Sequence, residues 1–440
     1  MNPYLLGFRC TRCGCEYSQA EAQYTCPHDG GNLDAVYDYA AIARAIDPCR
    51  IAGSGDRSIW HYEPLLPATI QGREALAPTP LTSFGWSPLY RAPKLERGLG
   101  QRAIWLKDDT RLPSSSFKDR ASALVIARAL ETNVRTVCAA STGNAASSLV
   151  TLCAGTDLKT VIFVPQSTPE GKLAQILIHG ARVYSVEGSY DDAFDLAMQA
   201  SQSFGWYNRN TGVNPYTREG KKTAAYEIAE QLGSREEEEQ RSRGEEVRLT
   251  FSPPHLFSSS LFRAPDVIVV PVGDGNIISG LHKGFKDLLS LGWIEHMPRF
   301  VGVTATLAPA LYRAWQTGSE VIKSMASSTI ASGISVDLPR DGLMALRAVR
   351  DTGGLFVEAS DEEMLTAMGV LARDAAVFVE PAAAAVYVGL VKARDHGAIH
   401  QDDEVVLQLT GSGLKDVKSA LASVAGRIQR IQGRLEEVRE

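Results

Sequence analysis

Residues 103–165 read AIWLKDDTRLPSSSFKDRASALVIARALETNVRTVCAASTGNAASSLVTLCAGTDLKTVIFVP. Short apolar, β-branched runs alternate here with longer segments whose apolar residues recur at helical spacing. AIWLKDD predicts a strand, FKDRASALVIARALE an amphipathic helix, TVCAAS a buried strand, NAASSLVTLCAGT a second helix and KTVIFVP a third strand. Strands joined by helices must pair in parallel, because the crossover returns the chain to the same edge of the sheet. The stretch therefore predicts an α/β architecture. The alternation continues downstream through GKLAQILIHG, ARVYSVEG and YDDAFDLAMQAS, and resumes at DVIVVPVGDG, FVGVTA and EVVLQLTGSG. No internal repeat is visible.

Outward from this core the character changes. The segment through Tyr37 is rich in Cys, Gly and turn formers, and YAAIARAID opens a helical pattern after it, so residues 1–38 read as a small appended module. Residues 53–93 are irregular and Pro-rich, as in a segment wrapped over a larger body. At GSREEEEQRSRGEEVRLTFSPPHLFSSSLFRAP the alternation stops, and a charge run followed by a Ser/Pro/Phe tract reads as a surface insertion over 234–262. The tail over 419–440 carries apolar residues at helical spacing and predicts a terminal amphipathic helix. The expected division is a larger α/β unit from 39–119 and 207–418 and a smaller one over 120–206, flanked by the module and the tail.

Composition agrees with two or three globular units in 440 residues: 44% are hydrophobic and 22% charged, which excludes disorder over most of the length. Forty-five Lys+Arg against 51 Asp+Glu give a formal charge of −6, so no broad positive field exists to bind nucleic acid. No run approaches a membrane span and the start lacks a long apolar signal core, so a cytoplasmic protein is expected, with no membrane partner. Four of the seven cysteines lie at 10, 13, 15 and 26, a clustering that suggests metal rather than disulfide bridges.

Four segments at predicted strand ends carry chemistry. Ser114-Ser115-Ser116-Phe117-Lys118-Asp119-Arg120 puts a lysine at a helix start beside small hydroxyls. Such a lysine is ordinarily solvated, but partial burial there would lower its pKa as a Schiff-base lysine requires. Ser141-Thr142-Gly143-Asn144-Ala145 ends a buried strand and opens a helix, a grip for a carboxylate. Gly273-Asp274-Gly275-Asn276 does the same after DVIVVPV, the arrangement in which backbone amides bind phosphate, although a Gly pair alone is more often a tight turn. Thr410-Gly411-Ser412-Gly413 brings a hydroxyl to the same sheet edge. A reactive lysine, an anion grip, a phosphate cradle and a hydroxyl together meet the needs of pyridoxal phosphate acting on a small molecule.

These segments resemble the fold type II pyridoxal-phosphate enzymes and, within them, the threonine synthases. The likeness runs from FRCTRCGC to TGSGLKD and includes WLKDDTRLPSSSFKDR, CAASTGNAASS, VNPYTREGKKTAAYEIAEQL, VPVGDGNIISGLHKGFKDL, SGISVDLPRDGLMALRAVRDTGG and VFVEPAAAAVYVGL. It implies two three-layer α/β/α domains with mostly parallel sheets and a Cys-rich knuckle, assembled as a homodimer. Lys118 would bind the cofactor and move protons, and Asn144 would meet the pyridoxal 3′ oxygen. Backbone amides of Gly273, Asp274, Gly275, Asn276 and Ile277 would hold the phosphate, Thr410 would face the ring nitrogen, and Ser141, Thr142 and Ala145 would bind the substrate carboxylate. The activity implied is conversion of O-phosphohomoserine and water to threonine and phosphate. The alternative keeps the cofactor but eliminates or replaces at Cβ of serine, threonine or a phosphoserine-like amino acid.

The chain departs from that family in several places: Thr211-Gly212 stand where Asn-Ser is usual, and the phosphate loop is one residue shorter than Gly-Asn-Ala-Gly-Asn. Threonine synthases commonly carry Arg after Asn-Pro-aromatic, whereas Asn214-Pro215-Tyr216 is followed by Thr217, leaving Arg218 and Lys221, with Lys222, as candidates for the substrate phosphate. Cys10, Cys13 and Cys26 have zinc-ribbon spacing but the expected fourth cysteine is Asp29. His28 or Asp29 would complete a zinc site, with Cys15 in reserve, and a metal-free knuckle is the alternative.

Overall fold

In the computed structural model, which describes residues 2–73, 77–242, 261–425 and 432, the parallel strands form two sheets. The larger has the order β12-β11-β10-β13-β5-β4, built from β4 (Leu89–Arg91), β5 (Ala103–Asp108), β10 (Val267–Pro271), β11 (Arg299–Ala305), β12 (Leu355–Ala359) and β13 (Glu404–Leu409). All its neighbours are parallel except the edge pair β4–β5. The smaller, all parallel, has the order β8-β7-β6-β9, from β6 (Thr136–Ala140), β7 (Lys159–Pro165), β8 (Arg182–Val186) and β9 (Tyr207–Asn208).

Helices cover both faces of the larger sheet, so β5, β10 and β13 are buried at every residue. That is why they read as unbroken apolar runs rather than as alternations. The helix Pro381–Asp395 lies across β10 to β13 so closely that a Cβ on Gly389 would come within 2.3 Å of Val303 Cγ2, and Ala383, Ala384 and Ala385 are fully buried. The sequence AAAA is what lets a helix sit that low on a sheet. A second close crossing lies nearer the candidate site. The helices Lys118–Glu131 and Tyr216–Lys221 meet backbone to backbone, and a Cβ on Gly220 would stand 2.0 Å from the Arg120 carbonyl oxygen.

The Cys-rich segment forms an antiparallel sheet of order β2-β1-β3 from β1 (Leu5–Cys10), β2 (Glu16–Tyr17) and β3 (Leu33–Tyr37). Far from being merely appended, it shares the main core: Phe8 meets Tyr216 edge-on, and Tyr37 OH donates to Glu219 at 2.6 Å. Asn32 donates to Asp341 at 2.8 Å. The Pro-rich stretch is also interior in part, with Trp60 buried and its Nε1 donating to the Leu81 carbonyl at 2.9 Å.

Three boundaries differ from the sequence reading. The helix Thr223–Ser242 runs nine residues past Gly233, so the insertion cannot begin at 234. REEEEQRS consists of good helix formers, and its charge run continues an existing helix instead of ending it. Residues 243–260 of the insertion and, apart from 432, the tail beyond 425 lie outside the described residues, and Phe262 at the insertion's far end is buried against Trp293. The division at 119/120 falls inside the helix Lys118–Glu131, and Tyr207–Asn208, assigned to the larger unit, pair with β6 of the smaller sheet. No helix among the described residues is long and apolar enough to cross a membrane.

Candidate active site

Four loops meet at the carboxyl ends of the parallel strands. After β5 the chain turns through Ser115, at φ +56, and enters the helix headed by Lys118. The loop after β13 is fastened to that turn: Phe117 N donates to the Thr410 carbonyl at 3.0 Å and Ser412 N to the Ser115 carbonyl at 3.1 Å. Two separate strand ends are thereby locked together, and Thr410 is brought beside Lys118. After β6 comes Ser141–Ala145, and after β10 comes Gly273–Ile277.

The helices Asn144–Cys153 and Asn276–Ser290 both start without a side-chain cap, so their first amides remain available to an anion. Gly275 has φ +90, and a Cβ there would come within 2.8 Å of the Asp341 carbonyl oxygen, so this turn requires glycine. Together Lys118, Thr211, Gly273, Asp274, Gly275, Asn276, Ile277 and Gly333 line one partly open cleft.

Lys118 is half-buried, and burial first, then the Arg209 charge, pull its pKa down to about 8, against the opposing pull of Asp274 and Glu380. Asn144 Nδ2 donates to Glu380 Oε1 at 2.9 Å. Glu380 is itself buried and packs against Gly411, where a Cβ would be 2.4 Å from Oε1. Burial raises its pKa. Beneath the phosphate-type loop, Lys221 Nζ donates to Asn276 Oδ1, and Asn276 Nδ2 donates to Asp341 at 2.9 Å.

These residues fit pyridoxal phosphate. A half-buried lysine of lowered pKa faces a glycine turn of free amides, and a fully buried second lysine, Lys221, lies against that turn with no ion pair among the described residues. Lys118 would hold the cofactor, 273–277 its phosphate, Asn144 its ring oxygen and Thr410 its ring nitrogen. Ser141, Thr142 and Ala145 stand together at the helix start, where a substrate carboxylate would lie.

Arg218 is the exception among the sequence candidates. Its guanidinium is enclosed, held by Asp341 at 2.5 Å and by Asp34 at 3.1 Å. Lys222 is paired too, with Glu219 at 2.8 Å and Asp287 at 2.9 Å, and none of Arg218, Lys221 and Lys222 lines the cleft itself. Arg218 reaches Asp34 of the Cys-rich module and Lys222 reaches Asp287 of the helix Asn276–Ser290, while Lys221 reaches Asn276 at the start of that helix. Two further residues, Arg209 and Glu380, were not singled out from sequence. The only local hint of Glu380 is Glu-Pro opening an alanine-rich helix.

In the module, Cys10, Cys13, Cys26 and Asp29 present four ligand atoms all within 4.8 Å of one another. Cys13 and Cys26 sulfurs are 3.7 Å apart, and Cys10 Sγ is 3.3 Å from Asp29 Oδ1. A tetrahedral zinc with Zn–S near 2.3 Å has ligand edges of about 3.7 Å, so the set fits. The exposed His28 and Cys15 do not join the cluster, because the turn after Cys26 directs Asp29 inward, where the Gly31 amide meets its carboxylate at 2.8 Å. Elemental analysis is expected to find about one zinc per chain, and Cys13→Ser is expected to expose the module to protease while a cofactor absorption band survives. Metal-free protein with a protease-resistant module would favour the empty knuckle.

The sequence profile described as "Pyridoxal-phosphate dependent enzyme" matches residues 81–411. The chain is 34% identical over 416 residues to a protein named threonine synthase from Methanosarcina acetivorans, covering 94% of this chain and 93% of that protein. It is 33% identical over 417 residues to the threonine synthase of Methanocaldococcus jannaschii, covering 94% of each. Among solved structures it resembles maize serine racemase, with a TM-score of 0.61 at 18% identity over 77% of this chain and 91% of that one. Diaminopropionate ammonia lyase from Escherichia coli gives a TM-score of 0.60 at 17% identity, over 82% of this chain and 95% of that one.

Proposed function

The chain belongs to the pyridoxal-phosphate dependent enzymes, with the α/β/α sheets of fold type II and lyase-type chemistry on an amino-acid substrate, and from that premise we propose that it converts O-phosphohomoserine and water to threonine and phosphate. The observation that carries the reading is Lys118, a half-buried amine with its pKa drawn to about 8, set between two uncapped helix starts at the carboxyl edge of the sheet. The similarity to proteins named threonine synthase over 94% of the chain supports the substrate.

The cofactor, when bound, supplies an electron sink for the charge left at Cα. The chain's own residues do the rest. Ser141, Thr142 and Ala145 hold the substrate carboxylate and so fix Cα near Lys118 Nζ. The Lys118 amine takes the Cα proton and then a Cβ proton, and phosphate departs from Cγ. Lys118 returns the two protons it took, one to Cγ, which becomes a methyl group, and one to Cα, while water gives its hydroxyl to Cβ and its remaining proton to the departing phosphate. Glu380 steadies Asn144, whose amide orients the ring.

A second reading, β-elimination on serine or threonine, draws support from Thr217 and from the enclosure of Arg218 in ion pairs. Wild-type protein supplied with cofactor is expected to release phosphate and threonine in equal amounts from O-phosphohomoserine. Formation of a keto acid from serine or threonine, with no phosphate released from O-phosphohomoserine, would replace the first reading by the second.

A further inference from the structure

Most enclosed cations in this protein have carboxylates beside them. Lys107 pairs with Glu227 at 2.7 Å and Arg120 with Asp109 at 2.8 Å, and Arg218 and Lys222 are paired as described. Arg209 and Lys221 differ: both are fully buried, and neither stands in an ion pair among the described residues. Burial, then the Lys118 and Arg209 charges, pull the Lys221 amine well below the usual amine range, whereas Arg209 keeps its charge with Asp119 and Asp274 in electrostatic reach but neither hydrogen-bonded to it, so a buried guanidinium is left without a contact anion. Lys221 touches Asn276 of the turn that fits the cofactor phosphate, and a dianion there would favour the protonated amine. Arg209 remains.

Its position is distinctive. Arg209 follows β9, its Nε lies 3.3 Å from Ser122 Oγ, and Nη1 donates to Thr211 Oγ1 at 2.5 Å. Thr211 lines the cleft together with Asp274, and Nη2 has no acceptor among the described residues. Burial pulls the guanidinium pKa down to about 10, which still leaves it cationic at neutral pH. The neighbouring Arg340 is already engaged, lying 4.1 Å over the Phe194 ring and 3.4 Å from Asp191.

We propose that Arg209 is this chain's clamp for a second anionic group on the substrate, at the far end of the carbon chain from the amino-acid head. Guanidinium suits a phosphoryl group because its parallel N–H donors match two oxygens, and only the Nη2 side is free to do so here. The identification of that anion as a phosphate ester rests on the function proposed above.

Inorganic phosphate is the probe, used on holoenzyme so that the cofactor phosphate site is already filled. Phosphate is expected to compete with O-phosphohomoserine and to perturb the visible cofactor band. Arg209→Leu should keep that band, lower kcat/KM about tenfold or more and raise the phosphate inhibition constant by a similar factor, and Arg209→Lys should recover part of both. Unchanged phosphate inhibition in Arg209→Leu, or wild-type enzyme indifferent to phosphate, overturns the proposal. If the leucine variant does not fold, the lysine variant and the wild-type titration still decide. If wild type perturbs its band with phosphate through Arg209 but does not turn over O-phosphohomoserine, the clamp stands and the substrate reading falls.

Discussion

Lys118→Ala is expected to fold, to remain colourless when cofactor is added, and to lose turnover by roughly 10³-fold or more, the scale of removing a positioned acid–base group. Alanine is the best helix former, so the substitution should not disturb the helix Lys118–Glu131. What disappears is the amine. Its environment has a measurable consequence in the wild type. With a pKa of about 8, roughly one amine in ten is neutral at pH 7, against about one in three thousand at the ordinary 10.5. Only the neutral amine attacks an aldehyde, so the rate of cofactor loading onto apoprotein should climb with pH and level off above about 8. A coloured, active Lys118→Ala protein, or a loading profile still rising at pH 10, would show that another residue holds the cofactor.

The strands were legible because burial on both faces leaves an unmistakable pattern: VIVVP and VVLQL need no alternation to interpret. The four loops followed, since in a parallel sheet chemistry gathers at the carboxyl ends, and Lys118, Asn144, Gly273 and Thr410 each stand just beyond one. Residues that act across the fold left no comparable mark. Glu380 comes to Asn144 from 236 positions away, and nothing near it in sequence announces that partner. Arg218 looked available because no local feature reveals that Asp34 and Asp341 converge on it. The neighbours His28 and Asp29 could be told apart only by the direction of a turn, and the charge run after Gly233 looked like a loop because solvated helices and solvated loops share a composition.

Glu227→Gln is expected to destabilise the protein by about 3–5 kcal/mol, the cost of leaving buried cations without their carboxylate. Glu227 receives Arg120 Nη1 at 2.7 Å and Nη2 at 2.8 Å, and Lys107 Nζ at 2.7 Å, with all three side chains fully enclosed. Burial pushes its pKa up, but Arg120 and Lys107 outweigh that and hold it near 2 against the usual 4.5. A carboxyl held down in the folded state stabilises it fully above pH 4.5, and that stabilisation is lost as pH falls from there toward 2. Over that interval the wild-type denaturation midpoint should fall, while the glutamine variant, already deprived of the charge, should show a flatter profile. The exposed pair Arg9–Glu16, at 54% and 63% side-chain exposure, is the control: Glu16→Gln should change stability by less than about 0.5 kcal/mol. The difference matters to function because Arg120 lies two residues beyond Lys118, and Asp109, its other partner, directly follows β5. The network thus joins a strand end, the first turn of the lysine helix and the helix Thr223–Ser242 into one rigid corner. A Glu227→Gln protein of wild-type stability would mean that the corner is held by apolar packing alone.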